Sequence, residues 1–114
     1  GSPMEAASWE QIKAGPATIL SNVRGEQVEE FQIRITHLSQ NGDRSMTIQV
    51  TDPALLELTG GIVQGMSGSP ILQNGRVVGA VTHVLVNDPT RGYGISIDRM
   101  LESGANAVRE ESTA

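Results

Sequence analysis

The segment around Ser67 holds the residues of this chain that are best suited to chemistry. Here Gly65-Met66-Ser67-Gly68 places one serine between two glycines, directly before an apolar run at 70–72. Because the glycines lack a Cβ, the backbone on both sides of Ser67 can adopt positive φ and admit a carbonyl substrate. The N–H groups of Gly65 and Ser67 could then donate to one developing oxyanion. The pattern indicates a serine nucleophile, and it is also typical of a tight turn without chemistry.

The residues after this turn predict a β-hairpin. Asn74-Gly75 lies between two β-rich runs, at 70–73 and 76–86. A type I′ turn needs positive φ at both central residues, and Asn-Gly strongly favours it. The serine turn would therefore lead directly into two paired strands.

At these residues the chain resembles the trypsin-like peptidases, in which Gly-x-Ser-Gly-x-Pro leads into a strand, a hairpin and a second long strand beside the cleft. Residues 59–70 and 81–95 narrow the resemblance to the SpoIVB peptidase family, the stage IV sporulation serine peptidases. The resemblance is nearly continuous from about residue 50 to residue 101 and weaker from 15 to 48. It implies acyl transfer through Ser67.

The length of the chain limits how much of such an enzyme it can contain. With 114 residues it can form one hydrophobic core but not the two barrels of a trypsin-like peptidase. We therefore expect a mainly all-β fold, a small antiparallel barrel that resembles the second barrel of that class. Strands are predicted at 17–22, 28–38, 46–50, 70–73, 76–86 and 93–97, a loop at 87–92, a short helix near 53–59 and a C-terminal helix from about residue 98. Residues 9–14 fit either a strand or a short helical turn.

Asp52 has two possible roles. The family has an aspartate in this neighbourhood as the third member of its triad, so the resemblance implies a catalytic role for Asp52 beside Ser67. Asp52-Pro53 is also what the start of a helix looks like, with the aspartate as N-cap and the proline at the first helical position. A carboxylate has two oxygens, which allows one residue to do both jobs.

The general base is harder to place. Serine needs an adjacent base, normally histidine, and in this class the histidine precedes the aspartate and the serine in the chain. The chain has two histidines, His37 and His83. We expect His37 to lie on the surface of a strand, and Thr82 and His83 to line the substrate cleft. The family's histidine is then expected upstream of Gly1, outside this chain.

Composition excludes several classes of function. The net charge is −5 without a basic cluster, which argues against binding to nucleic acid. There is no cysteine, so disulfides and thiol chemistry are excluded. The spacing of Asp88, Asn87 and His83 matches no metal-ligand pattern, and we expect neither a metal nor another cofactor. No apolar run reaches the length of a membrane span.

These inferences combine into a division of the chain and a function. We expect residues 1–8 to be an expression scar and disordered lead, 9–104 to be the C-terminal barrel, and 105–114 to be a flexible tail. The function expected is that of the C-terminal part of a SpoIVB-like serine endopeptidase, inactive alone for lack of its base. A non-catalytic β-barrel interaction module is the alternative.

The resemblance also implies partners and a location. The parent would carry an upstream barrel and a PDZ domain, would be secreted from the forespore into the intermembrane space, and would cleave a regulatory membrane protein during sporulation signalling. A lone second barrel would also expose the apolar face that normally meets the first, so we expect the chain to self-associate.

Overall fold

Six strands form a closed antiparallel barrel in the computed structural model, which describes residues 5–23, 25, 27–62, 64–85 and 87–101. In chain order the elements are a 3-10 helix (Trp9–Gln11), β1 (Gly15–Ser21), β2 (Glu29–Leu38), β3 (Ser45–Val50), α1 (Pro53–Thr59), a second 3-10 helix (Gln64–Met66), β4 (Pro70–Gln73), β5 (Arg76–Leu85) and β6 (Asp88–Ser96). Residues 97–101 are helical. The order around the barrel is β1-β2-β3-β6-β5-β4, and pairing of β1 with β4 closes it.

The hairpin between β4 and β5 forms where the sequence predicts it. Asn74 and Gly75 have φ of 54° and 75°, as a type I′ turn requires. The pairing that follows joins Gln73 to Arg76 and Pro70 to Ala80. This hairpin fixes β5 directly behind the turn that carries Ser67.

The barrel interior is filled by aliphatic side chains at alternate strand positions. On β2, Phe31, Ile33 and Ile35 are buried while the residues between them face solvent. A strand places successive side chains on opposite faces, so this alternation gives one dry and one wet face. Phe31 is the one aromatic side chain among the buried core residues that the structure describes. The prediction of a mainly all-β barrel with one face of its strands exposed to solvent is confirmed.

The predicted helix is present as α1, and its ends follow from the sequence. Asp52 is the N-cap, and its side chain accepts from the N–H groups of Ala54 and Leu55. Pro53 occupies the first helical position, where no N–H is needed. Gly60 ends the helix with φ of 76°, a left-handed conformation that glycine adopts without strain.

Part of the expected disordered lead belongs to the fold. Ala6 forms a parallel bridge to Val77, and the N–H of Ala7 donates to the Val77 carbonyl at 2.9 Å. Ala7 is also buried in the core. The expectation of disorder was therefore wrong for residues 5–8, because backbone pairing and apolar burial hold them against the start of β5. Residues 1–4 lie outside the described residues.

Two other expectations need correction or completion. The region 87–92 was expected as a loop, but β6 already begins at Asp88, where it pairs with Leu85. The composition of this segment favours a turn, and pairing with β5 overrides it. Residues 9–14, left open between strand and helical turn, contain the first 3-10 helix. Helical residues begin at 97, close to the predicted start, and residues 102–114 lie outside the described part.

The turn between β2 and β3 contains a strongly stabilised carboxylate. Hydrogen bonds from the hydroxyls of Ser39 and Ser45 lower the pKa of Asp43 from 3.8 to about 2. Because the folded state lowers this pKa, the carboxylate stabilises the fold above about pH 4, and this contribution is lost as the pH falls towards about 2. We therefore expect Asp43→Asn to weaken the dependence of Tm on pH between about 4 and 2. Thermal unfolding followed by circular dichroism at several pH values would measure it, and parallel wild-type and variant curves would contradict it.

Candidate active site

Ser67 lies in a short turn that is held against β5 by backbone hydrogen bonds. The N–H of Gly68 donates to the Val81 carbonyl at 2.7 Å, and the N–H of Val81 donates to the Ser69 carbonyl at 2.9 Å. Gly68 has φ of 90°, so a residue with a side chain would be strained there. These contacts fix the position of Ser67 between the second 3-10 helix and β4.

The hydroxyl of Ser67 is exposed and already has a partner. It donates to the backbone carbonyl of Thr82 on β5 at 2.5 Å. Among the described residues it forms no hydrogen bond with an imidazole. The hydroxyl proton, which a general base would have to remove, therefore points at a carbonyl. A carbonyl oxygen accepts a hydrogen bond but is too weak a base to take up the proton.

A β-bulge explains why the Thr82 carbonyl is available to Ser67. The register of β5 against β6 shifts between Val81, which pairs with Gly94, and His83, which pairs with Tyr93. Thr82 is the extra residue, and a bulged residue drops out of the regular ladder. Its hydroxyl donates instead to the Tyr93 carbonyl at 3.1 Å. The bulge thus redirects one carbonyl of β5 towards the serine.

His83 lies beside this bulge on the outer face of the barrel. Its Nδ1 is 3.1 Å from the Thr82 hydroxyl oxygen, and its ring packs at 4.8 Å against the ring of Tyr93, tilted by 42°. His83, Thr82 and Tyr93 line a cavity of about 460 Å³. The rest of its lining comes from Asp43, Ser45, Gly94, Ile95 and Arg99.

The expected oxyanion donors lie in and directly after a 3-10 helix. Gly65 is inside the second 3-10 helix, and its φ is not positive, unlike that of Gly68. Ser67 is the first residue after that helix. The oxyanion role of the Gly65 and Ser67 N–H groups stays a prediction.

Asp52 sits at the junction of α1 and β2. One carboxylate oxygen caps α1, accepting from Ala54 at 2.9 Å and Leu55 at 3.4 Å, and the other accepts from the N–H of Gln32 at 3.0 Å. Both oxygens therefore bond backbone N–H groups. The structure confirms the N-cap role, and the triad role of Asp52 stays a prediction.

The structure places the Ser67 hydroxyl against the Thr82 carbonyl and the Thr82 hydroxyl beside His83, and the roles of Ser67 as nucleophile and of Thr82 and His83 as cleft residues stay predictions. His37 lies exposed on β2, where it pairs with Thr47 of β3. Sequence reasoning missed Tyr93 as a neighbour of His83, because that contact depends on the register of β5 against β6. It also missed Asp43 and Arg99, since only the fold brings those segments to the cavity.

Variants of Asp52 separate its two roles. We expect Asp52→Ala to lower the free energy of unfolding by about 1–2 kcal/mol, because the cap is lost. Asp52→Asn keeps an oxygen that can cap α1, so we expect it to lie closer to the wild type than the alanine variant does. Urea unfolding would measure both. Equal losses in the two variants would contradict the cap as the main stabilising contact.

No group of three or more potential metal-ligating His, Asp or Glu side chains occurs within residues 5–23, 25, 27–62, 64–85 and 87–101. In the same described part of the chain, none of the helices combines the length and apolar character of a membrane span.

A closed antiparallel barrel, in which a glycine-flanked serine turn leads into a hairpin, has the architecture of the second barrel of trypsin-like serine peptidases. Solved structures agree with this fold. The chain is similar to the Rv3671c protease of Mycobacterium tuberculosis H37Rv in an inactive form, with a TM-score of 0.69 and 22% identity over 93% of this chain. A serine-to-alanine variant of Rv3671c, also in an inactive form, gives a TM-score of 0.70 and 21% identity over 93% of this chain. The chain spans only 55% and 53%, respectively, of those two proteins.

The sequence profile described as SpoIVB peptidase S55 matches residues 1–101. This chain belongs to the SpoIVB peptidase S55 family, and its barrel is a domain of the serine peptidase class. No curated protein sequence matches it significantly.

Proposed function

We propose that this chain provides the nucleophile and one wall of the substrate cleft of a serine endopeptidase. Ser67 attacks the scissile carbonyl, and the N–H groups of Gly65 and Ser67 stabilise the oxyanion once the turn opens. The observation that carries the proposal is the exposed Ser67 hydroxyl, held by a glycine-flanked turn against the bulge of β5. Membership of a peptidase family also supports a role of Ser67 as nucleophile.

We propose further that the chain alone is inactive. Neither histidine contacts Ser67 in the described structure: His83 bonds Thr82, and His37 lies on β2. The general base would come from another part of the complete protease, meaning the longer protein to which we assign this chain. The 3-10 helix before Ser67 would be the resting form of the oxyanion turn, which contact with that part would unwind.

Labelling with a fluorophosphonate tests the proposal. We expect no labelling of this chain alone and labelling at Ser67 in the complete protease, located by mass spectrometry of peptides. The hydroxyl reacts only when a base removes its proton, so the two results together report the missing base. A complete protease that stays unlabelled would favour a non-catalytic interaction barrel.

Family membership supports proposals about the parent protein as well. We propose that an upstream barrel and a PDZ domain accompany this chain in the parent protein, and that Asp52 orients the general base. We propose also that the parent is secreted from the forespore into the intermembrane space and acts there on a regulatory membrane protein. For the isolated chain we propose self-association. Sedimentation that shows a monomer at high concentration would contradict it.

A further inference from the structure

The contacts around Thr82 favour one tautomer of His83. The Thr82 hydroxyl oxygen lies 3.1 Å from the Tyr93 carbonyl oxygen and 3.1 Å from Nδ1 of His83. Two oxygens at this distance attract only if a hydrogen lies between them, and a carbonyl has none to give. We assign the single hydroxyl proton of Thr82 to the Tyr93 carbonyl, because only this arrangement makes both contacts attractive. The hydroxyl is then left as an acceptor towards His83.

An acceptor beside Nδ1 needs a proton on that nitrogen. Neutral imidazole has one N–H, so Nδ1–H leaves Nε2 as the accepting nitrogen. The Tyr93 ring packs against His83 and restricts its orientation. The bulge, the hydroxyl and the ring contact together hold the imidazole in one tautomer in a cavity lined by Thr82, whose carbonyl accepts from the Ser67 hydroxyl.

We infer that His83 is a substrate-binding residue, whose Nε2 accepts a hydrogen bond from a neutral hydroxyl or amide side chain of the peptide substrate. The inference rests on the proposed function, because it places this substrate side chain in the cavity lined by Thr82, the residue whose carbonyl contacts the nucleophile. Thr82 is the positioning residue that fixes the tautomer.

The charges of the cavity favour a neutral partner. Asp43 and Arg99 line the same space with opposite charges, and the guanidinium of Arg99 donates to the Asp43 backbone carbonyl at 3.1 Å. The pKa of Asp43 is lowered to about 2, so its carboxylate is ionised at neutral pH. An acidic substrate side chain would meet this carboxylate, a basic one would meet the Arg99 guanidinium, and an apolar one would leave Nε2 without a donor. Serine, threonine, asparagine and glutamine side chains avoid all three penalties.

The tautomer can be measured on this chain without any catalysis. In ¹⁵N–¹H correlation spectra of the imidazoles at alkaline pH, we expect His83 to carry its proton on Nδ1. His37→Gln leaves His83 as the one remaining histidine and so assigns its signals. Thr82→Ser should keep the Nδ1–H form, and Thr82→Val should lose it. A wild-type His83 that carries its proton on Nε2 would overturn the inference, whatever the complete protease does.

The substrate contact is tested with the complete protease and peptides varied one position at a time around the cleavage site. At one position we expect serine or asparagine to be preferred over alanine or leucine. His83→Phe keeps a ring against Tyr93 but has no hydrogen-bond acceptor, so it should remove that preference. We expect kcat/KM for the preferred peptides to fall about tenfold, mainly through a higher KM. His83→Gln, which keeps an accepting oxygen, should retain part of it.

The outcomes separate this inference from the proposed function. Equal losses for polar and apolar peptides in His83→Phe would overturn the inference while Ser67-dependent turnover upholds the proposed function. If the complete protease has no Ser67-dependent turnover, the proposed function fails. In that case the inference is tested by peptide binding, followed through the ¹⁵N chemical shifts of His83. A change in these shifts on addition of serine or asparagine peptides supports the inference, and unchanged shifts overturn it.

Discussion

Ser67→Ala in the complete protease is expected to lower kcat on the order of 10⁶-fold. The reason is chemical, since alanine has no oxygen with which to form the acyl intermediate and nothing else in the turn replaces it. The exposed hydroxyl of Ser67 currently donates to the Thr82 carbonyl. Loss of one exposed hydrogen bond should change the free energy of unfolding by no more than about 1 kcal/mol. Activity and stability should therefore respond very differently.

The neighbouring serine provides a matched control. Ser69 is two residues along the same turn, and it joins β5 through backbone atoms, with its carbonyl accepting from Val81 at 2.9 Å. Ser69→Ala should label with fluorophosphonate and turn over substrate within about tenfold of the wild type, because a neighbouring hydroxyl takes no part in acyl transfer. Steady-state kinetics and labelling would measure both variants. Full proteolysis after Ser67→Ala would refute the nucleophile assignment.

Gly79→Ala is expected to be the most destabilising conservative change in the barrel. A Cβ at Gly79 would lie 2.0 Å from the backbone carbonyl oxygen of Ile95 on β6. A backbone carbonyl in a paired strand cannot move without breaking the ladder, so the strands must separate. We expect a loss of at least about 3 kcal/mol in the free energy of unfolding, which corresponds to a decrease in Tm of at least about 12 °C for a domain of this size.

Gly65→Ala is the matched control for this change. Apart from its chain neighbours and its own helix backbone, no atom of the described residues lies within 4 Å of a Cβ built at Gly65, and the φ of Gly65 is not positive. The same added methyl group should therefore cost little, about 1 kcal/mol or less in either direction. Urea unfolding of both variants gives the comparison. Similar stabilities for the two would show that β5 and β6 are not packed as closely as the structure has them.

Much of the fold could be predicted because its signals are local. Alternation in residues 28–38 and 46–50 predicts strands with one buried face, and both are present as β2 and β3. Asp52-Pro53 and Gly60 predict both ends of α1, since capping depends on a few neighbouring residues. The prediction of a loop at 87–92 was wrong because its signal is not local: residues 88–92 join β6 through pairing with β5.

The sequence by itself determined the strands, the short helix, the hairpin and a serine held between glycines, because backbone preferences and side-chain periodicity act over a few residues. Only the tertiary structure decided what surrounds that serine. The bulge at Thr82 depends on how β5 and β6 register, and it turns one carbonyl towards Ser67 while His83 packs against Tyr93. These contacts join segments 10 to 15 residues apart in the chain, by way of a barrel that closes only when all its strands pair.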